Sequence, residues 1–260
     1  MDLDQLMRVA ERAAYRGGEQ LRLRFGRLER VDEKAPFDLV TDADTESEAA
    51  IIATIRAAFP EHAVVAEESG LTAGDAECRW LVDPLDGTVN FAHGVAVAAV
   101  SIALTRRSEP LAAVVLNPFS GEFFSAAAGR GARLNGQPIR VNAADRLSES
   151  LLATGFPYER SELDRVTARL GRLIQVAQGI RRFGSAALDL CFVACGRFAG
   201  YWEHGLKPWD TAAGALIVQE AGGRVTDLSG RPYCIGGDEI LATNRLVHDE
   251  MVALMEADST

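Results

Sequence analysis

The chain has 260 residues, 48% hydrophobic and 25% charged, with 27 basic against 37 acidic side chains and a formal net charge of −10. That length accommodates one large domain or two halves sharing a core. The acidic balance argues against a nucleic-acid partner, because such proteins neutralise phosphates with lysine and arginine.

Residues 2–25 predict an amphipathic helix, with Leu6, Val9, Ala10, Ala13, Leu21 and Phe25 near one face. Gly17-Gly18 interrupts that pattern and suggests a close helix contact. A second helix is expected after Asp44, where "TESE" (45–48) has capping-box form, and it stops at Pro60. "AVVAEE" and "RWLVDP" read as short strands ending in acids. "VAVAAVSIAL", "LAAVVLNP", "GEFFSAA" and "GARLNGQPIRV" follow as strands, with Asn135-Gly136 as a hairpin turn. A run of antiparallel strands after two helices is an α+β pattern.

From about residue 145 strand and helix alternate. "SLLATGF", "IRRFG", "FAGYWE", "GRVTDLSG" and "EILATN" are the strands, and 160–178, "SAALDLCFVACG", "DTAAGALIVQEAG" and 245–257 the helices. The expected organisation is an N-terminal α+β half over 1–145 and a C-terminal α/β half over 146–260, in one compact unit.

The N-terminus lacks a basic segment followed by an apolar core, so no secretory leader is expected. The most apolar stretch, "GVAVAAVSIAL" (94–104), is too short to cross a bilayer, so no membrane partner is expected either. Cys78, Cys191, Cys195 and Cys234 form no CxxC pair; at helical spacing Cys191 and Cys195 read as small buried hydrophobes. These features point to a reducing, cytoplasmic compartment.

Acids recur at strand ends and helix starts: Asp44, Glu67-Glu68, Asp83, Asp86 and Asp210. Singly, Asp44 and Asp210 read as N-caps and the glutamates as loop charges. Together they form a scattered set of hard oxygen donors of the kind that holds Mg²⁺. Asp83 and Asp86, three apart across Pro84-Leu85, can face one ion if the chain turns sharply, presenting the Leu85 carbonyl as well. Gly87 and Thr88 then offer backbone N–H groups at a helix start, a natural phosphate site. Metal and oxyanion donors side by side suggest phosphate ester hydrolysis.

A rival reading takes "LDGT" (85–88) as the mark of haloacid dehalogenase-type phosphotransferases, whose nucleophilic and acid aspartates stand two apart. Pro84 stands two residues before Asp86, so an aspartyl-phosphate mechanism is disfavoured. His62, His93, His204 and His248 show no zinc spacing and read as surface or satisfied loop histidines. Ser185 lacks a GxSxG context.

"DLVTDAD" (38–44), "AEES" (66–69), "WLVDPLDGTVNF" (80–91) and "PWDTAAGALIVQEAGG" (208–223), in that order over nearly the whole chain, resemble the motifs of the inositol monophosphatases, within the lithium-sensitive, Mg²⁺-dependent sugar phosphatases. The resemblance implies a layered αβαβα sandwich of the inositol monophosphatase and fructose-1,6-bisphosphatase type, usually dimeric. It implies metal ligation by Glu67, Asp83, the Leu85 carbonyl, Asp86 and Asp210, with two or three Mg²⁺ ions per site. Asp44 and Thr88 would orient and deprotonate the attacking water, and the Gly87 and Thr88 N–H groups would hold the phosphate. Gly184, Ser185, Ala186 and Glu203 would contact the hydroxyls of a polyol. The expected reaction is in-line attack of a metal-activated water on inositol 1-phosphate. Histidinol phosphate, fructose 1,6-bisphosphate or a 3′-phosphoadenosine nucleotide are alternative substrates, and a regulatory protein retaining the fold is the alternative of another class. Val95-Ala96-Val97 after the "NFAHG" turn, where the family often has bulky aromatic residues, and Ala199 in "FAGYWE" depart from the family's pattern.

Overall fold

The computed structural model describes residues 2–72 and 74–256. Helix α1 (Leu3–Arg24) runs without a break through Gly17-Gly18. A Cβ on Gly17 would stand 2.7 Å from Ile51 Cδ1, and one on Gly18 2.8 Å from Leu116 Cδ2. The glycine pair is thus the close contact the pattern suggested, not an interruption. A hairpin of β1 (Val31–Ala35) and β2 (Asp38–Thr41) leads into α2 (Asp42–Ala58). That helix starts three residues earlier than "TESE" suggested. Thr41 is its N-cap, and Asp44 closes the capping box by accepting the Thr41 N–H at 2.7 Å.

The larger sheet is built from β3 (His62–Ala66), β4 (Gly70–Thr72), β5 (Asp75–Asp86), β6 (Ala99–Arg106), β7 (Glu109–Asn117), β8 (Glu122–Ala127), β9 (Ala132–Leu134) and β10 (Gln137–Pro138). Its order is β10-β9-β8-β7-β6-β5-β3-β4. Every neighbouring pair is antiparallel except β3 and β5, which run parallel. A short helix, α3 (Thr88–Ala92), leaves the end of β5.

The smaller sheet holds β11 (Leu151–Thr154), β12 (Gly179–Arg181), β13 (Gly200–His204), β14 (Arg224–Thr226) and β15 (Glu239–Thr243), in the order β12-β11-β13-β15-β14. Its first three strands are parallel, and β15 pairs antiparallel with both β13 and β14. The helices of this half are α4 (Leu163–Ile174), α5 (Ala186–Ala194), α6 (Pro208–Glu220) and α7 (His248–Glu256). The last was expected from 245; residue 257 lies outside the described residues.

Side chains alternate along the strands and so divide the apolar residues among three cores. On one face of the larger sheet, Trp80, Val82, Val100 and Ile102 pack against Leu6, Ile51 and Ile55 of α1 and α2. On the other, Leu81, Ala103, Val115 and Phe124 meet Leu188, Leu190, Leu216 and Ile217 of α5 and α6, which also cover Tyr201 and Ala242 of the smaller sheet. Outside that sheet, Leu152, Trp202 and Leu241 bury Leu173, Met251 and Met255 of α4 and α7. The result is a mixed α/β fold layered α-β-α-β-α. The middle helices are apolar on all sides because they are covered on both; in α6 every residue from Thr211 to Val218 is buried. Among the described residues no helix is long and apolar enough to cross a membrane. The four cysteines are free thiols.

Candidate active site

The end of β5 explains why two acids stand three apart. Along the β5–β6 ladder Asp83 pairs with Ser101 and Asp86 with Ala99, so three steps on one strand match two on the other. The extra residue is a β-bulge at Pro84-Leu85, a position where a proline without an N–H is tolerated. In a regular strand residues i and i+3 point to opposite faces. The bulge brings both carboxylates to the side on which α6 lies, where Ser101 Oγ donates to the Trp209 carbonyl at 3.2 Å. The turn is held by the Leu85 N–H donating to Asp83 Oδ1 at 3.0 Å and by Ser47 Oγ donating to the Pro84 carbonyl at 2.9 Å. Gly87 then takes a left-handed conformation at φ 98°. A Cβ there would lie 2.9 Å from the Val97 carbonyl oxygen, so glycine is required twice over.

A single cleft between the two sheets is lined by Glu67, Asp83, Leu85, Asp86, Gly87, Thr88, Gly184, Ala186, Glu203 and Asp210. Two more of the residues singled out in the sequence lie directly behind it. Asp44 Oδ1 is 3.0 Å from Thr88 Oγ1, whose other neighbour is the Leu85 carbonyl at 2.9 Å. Ser185 Oγ donates to Asp86 Oδ2 at 2.6 Å, and the Ala187 N–H reaches the same oxygen at 2.7 Å. Asp210, in the first turn of α6, accepts the Lys207 N–H on Oδ2 at 2.7 Å. The twelve residues named as candidates are therefore one neighbourhood, drawn from both halves of the chain.

Electrostatics sets this neighbourhood apart. Burial, and then the charges of Glu67, Asp86 and Asp210, push the Asp83 carboxyl well above its ordinary value. Burial likewise raises Asp210, against the Lys207 N–H, and Asp86 and Asp210 repel one another. Asp86 is pushed up to about 6, chiefly by burial and despite the Ser185 hydroxyl and the Ala186 and Ala187 N–H groups. Asp44 also reaches about 6 for the same leading reason. Several acids held out of water beside one another demand a cation to be ionised together. Among the described residues, no group of three or more His, Cys, Asp or Glu side chains is gathered so as to hold a metal ion as it stands. All four acids accept protein donors: Glu67 from Lys34, Asp83 from the Leu85 N–H, Asp86 from Ser185 and Asp210 from the Lys207 N–H. The donor set still fits a hard divalent cation in kind, being carboxylates and a carbonyl with no thiolate or imidazole among them.

Sequence reasoning missed part of the cleft. Lys34 bridges Glu67 Oε1 at 2.8 Å and Glu68 Oε1 at 2.6 Å from its place on β1. Tyr158, Arg182, His204 and Lys207 also line the pocket, and no spacing marks them. Arg182 stacks 5.6 Å from the Phe156 ring centroid. His204 is therefore not a surface or satisfied loop residue, since its Nε2 is buried without a hydrogen-bond partner. His248 is satisfied, as expected, but it is neither on the surface nor in a loop: it is fully buried at the start of α7, between the hydroxyls of Thr226 and Thr243 at 3.0 and 2.8 Å.

The whole chain has known relatives. A family model described as the inositol monophosphatase family matches residues 2–259. An inositol-1-monophosphatase of Synechocystis is 44% identical over 98% of this chain and 90% of its own length. The Nus factor SuhB of Pseudomonas aeruginosa is 43% identical over 93% and 92%. Among solved structures, the extragenic suppressor protein suhB of Bartonella henselae superposes with a TM-score of 0.93 at 39% identity, covering 96% of this chain and 98% of that one.

Proposed function

The chain belongs to the inositol monophosphatase family and is a phosphoric monoester hydrolase; from that footing we propose that it hydrolyses inositol 1-phosphate or a similar polyol phosphate in the cleft between its sheets, with Mg²⁺. The observation that carries this reading is the convergence of Glu67, Asp83, Asp86, Asp210 and the Leu85 segment beside the Gly87-Thr88 turn. Those residues would hold the cation. Mg²⁺ bound there supplies Lewis-acid polarisation of the phosphoryl group and makes water acidic enough to react near neutral pH.

The remaining work falls to the chain's own groups. Thr88 Oγ1 has one proton and two acceptors in reach, Asp44 Oδ1 and the Leu85 carbonyl. It donates to one at a time and keeps lone pairs free to accept from the attacking water. A proton passed through Thr88 arrives at Asp44, a carboxyl whose value near 6 suits a base at neutral pH. The N–H groups of Gly87 and Thr88 hold the phosphate oxygens. Backbone groups at Gly184, Ser185 and Ala186, with the Glu203 carboxylate, face the leaving alcohol and favour one that carries hydroxyls.

Phosphate release from inositol 1-phosphate, histidinol phosphate, fructose 1,6-bisphosphate and 3′-phosphoadenosine 5′-phosphate, with and without Mg²⁺, tests the reading, with Asp86→Asn as control. Mg²⁺-dependent turnover that is best on inositol 1-phosphate and lost in Asp86→Asn is expected. A different preferred ester would keep the chemistry and change the substrate; no release from any ester would overturn the proposal. The name Nus factor given to some relatives makes a regulatory role a second reading for this fold. If that role does not use the cleft, Asp86→Asn would leave it intact while abolishing hydrolysis.

A further inference from the structure

Glu203 is held from an unexpected direction. β11 and β13 run parallel, with Ala153 opposite Tyr201 and Thr154 opposite Trp202, and Thr154 Oγ1 donates to the Trp202 carbonyl at 2.9 Å. The next residue, Gly155, therefore lies beside Glu203. A Cβ built on Gly155 would fall 1.9 Å from Glu203 Oε2 and 2.0 Å from both Cδ and Oε1. No other described glycine would place a Cβ so close to a neighbouring side chain. Backbone conformation is not the reason for a glycine here, because Gly155 lacks the positive φ found at fourteen other glycines of the chain. What requires it is room for the carboxylate. That carboxylate is also anchored by the fully buried Tyr201, whose hydroxyl donates to Glu203 Oε2 at 2.5 Å.

We propose that Gly155 is a positioning residue: its bare Cα forms the niche that, with the Tyr201 hydroxyl, sets where Glu203 presents its carboxylate in the cleft. The inference deepens the proposed function and rests on it for one consequence, that this placement governs acceptance of a polyol leaving group. The three heavy atoms nearest to a Cβ at 155 all belong to the far end of a flexible side chain. The fold can therefore yield by swinging the carboxylate away, which removes a hydrogen-bond partner from the substrate and leaves the metal-binding acids where they are.

The test compares wild type, Gly155→Ala and the double variant Gly155→Ala/Glu203→Asp, whose shorter acid relieves the overlap. Each is assayed with Mg²⁺ on inositol 1-phosphate and on phenyl phosphate, which has no alcohol hydroxyls to recognise. For Gly155→Ala the expected result is a KM for inositol 1-phosphate raised about tenfold, with kcat changed less. Phenyl phosphate parameters should move by less than about threefold, and the double variant should recover part of the lost KM. A crystal structure of Gly155→Ala should show the Glu203 carboxylate displaced by about 1 Å or more.

An unmoved carboxylate overturns the proposal, and so does an equal loss on both esters. Should Gly155→Ala fail to fold, the double variant decides: if it also fails, the glycine serves something other than Glu203. A wild type inactive on inositol 1-phosphate refutes the substrate reading, not the niche, which the crystal structure then judges alone.

Discussion

Thr88 and Asp44 show how one side chain can serve fold and site together. Asp44 Oδ2 accepts both the Thr41 N–H and the Thr41 hydroxyl, while Oδ1 faces Thr88. The helix-capping reading of Asp44 and the catalytic one are carried by different oxygens. Thr88→Ala removes the hydroxyl but not the cap, so we expect kcat to fall by about 10²-fold or more with melting temperature little changed. Steady-state kinetics beside a thermal melt would show it, and a kcat within threefold of wild type would remove Thr88 from the proton path. His248 supports a prediction far from the cleft. Burial lowers its value to about 4, below its ordinary 6.5, with Arg224 adding to the effect. The unfolded chain then binds a proton that the native state refuses as pH drops from about 6.5 to about 4. Stability from this group is complete above that window and lost through it, by at most about 3 kcal/mol. Denaturant unfolding from pH 7 to pH 4 should show wild type losing more stability than His248→Gln; parallel curves would mean that the imidazole is not excluded from protonation.

At the level of elements, the helices sandwiched between the sheets do most to place the site. α5 begins at Ser185, whose hydroxyl meets Asp86, and α6 begins beside Lys207, whose N–H meets Asp210. How α5 and α6 pack therefore decides how the two halves of the cleft face one another. They pack tightly at Gly214, where a Cβ would stand 2.6 Å from Leu190 Cβ and Cδ1. Both helices are covered on both sides, so neither can move off cheaply. Gly214→Ala should cost about 1–3 kcal/mol, read as a lower melting temperature. An unchanged melt would mean that the layer relaxes freely.

The molecule as a whole carries net charge −10 and gathers several of its acids out of water in the cleft. Asp83, Asp86 and Asp210 all have native values raised first by burial. The native state therefore binds more protons than the unfolded chain from about pH 4 upward, to about pH 6 for Asp86, and without a cation these groups make it less stable as pH rises. A cation that binds only the native state reverses the effect. Saturating Mg²⁺ should raise the melting temperature, by an amount corresponding to about 2.7 kcal/mol at a hundredfold excess over Kd. The gain should be larger at pH 8 than at pH 5, where protons compete for the same oxygens. A melt indifferent to Mg²⁺ at pH 8 would count against the ligand set, and Asp86→Asn should blunt the response.

Several features of this protein were determined locally and so could be read from the chain. The helical period of residues 2–25, the Asn135-Gly136 turn and the alternation of strands and helices after residue 145 each reflect neighbours in sequence. So does the cluster from Asp83 to Thr88, where a bulge, a glycine and a hydroxyl follow one another within six residues. Other features depend on residues that meet only after folding. The helix start at Asp42 is not among these: Thr41 and Asp44 close a box only three residues apart, a local signal that prevailed over a competing one in "TESE". The parallel pairing of β3 with β5, the reach of Lys34 to Glu67 and the meeting of Gly155 with Glu203 join segments 13 to 48 residues apart. Periodicity records which face of an element is apolar; it does not record which distant face will cover it. That choice belongs to the packing of the layers, and it is the packing that turns separate acids into one cleft.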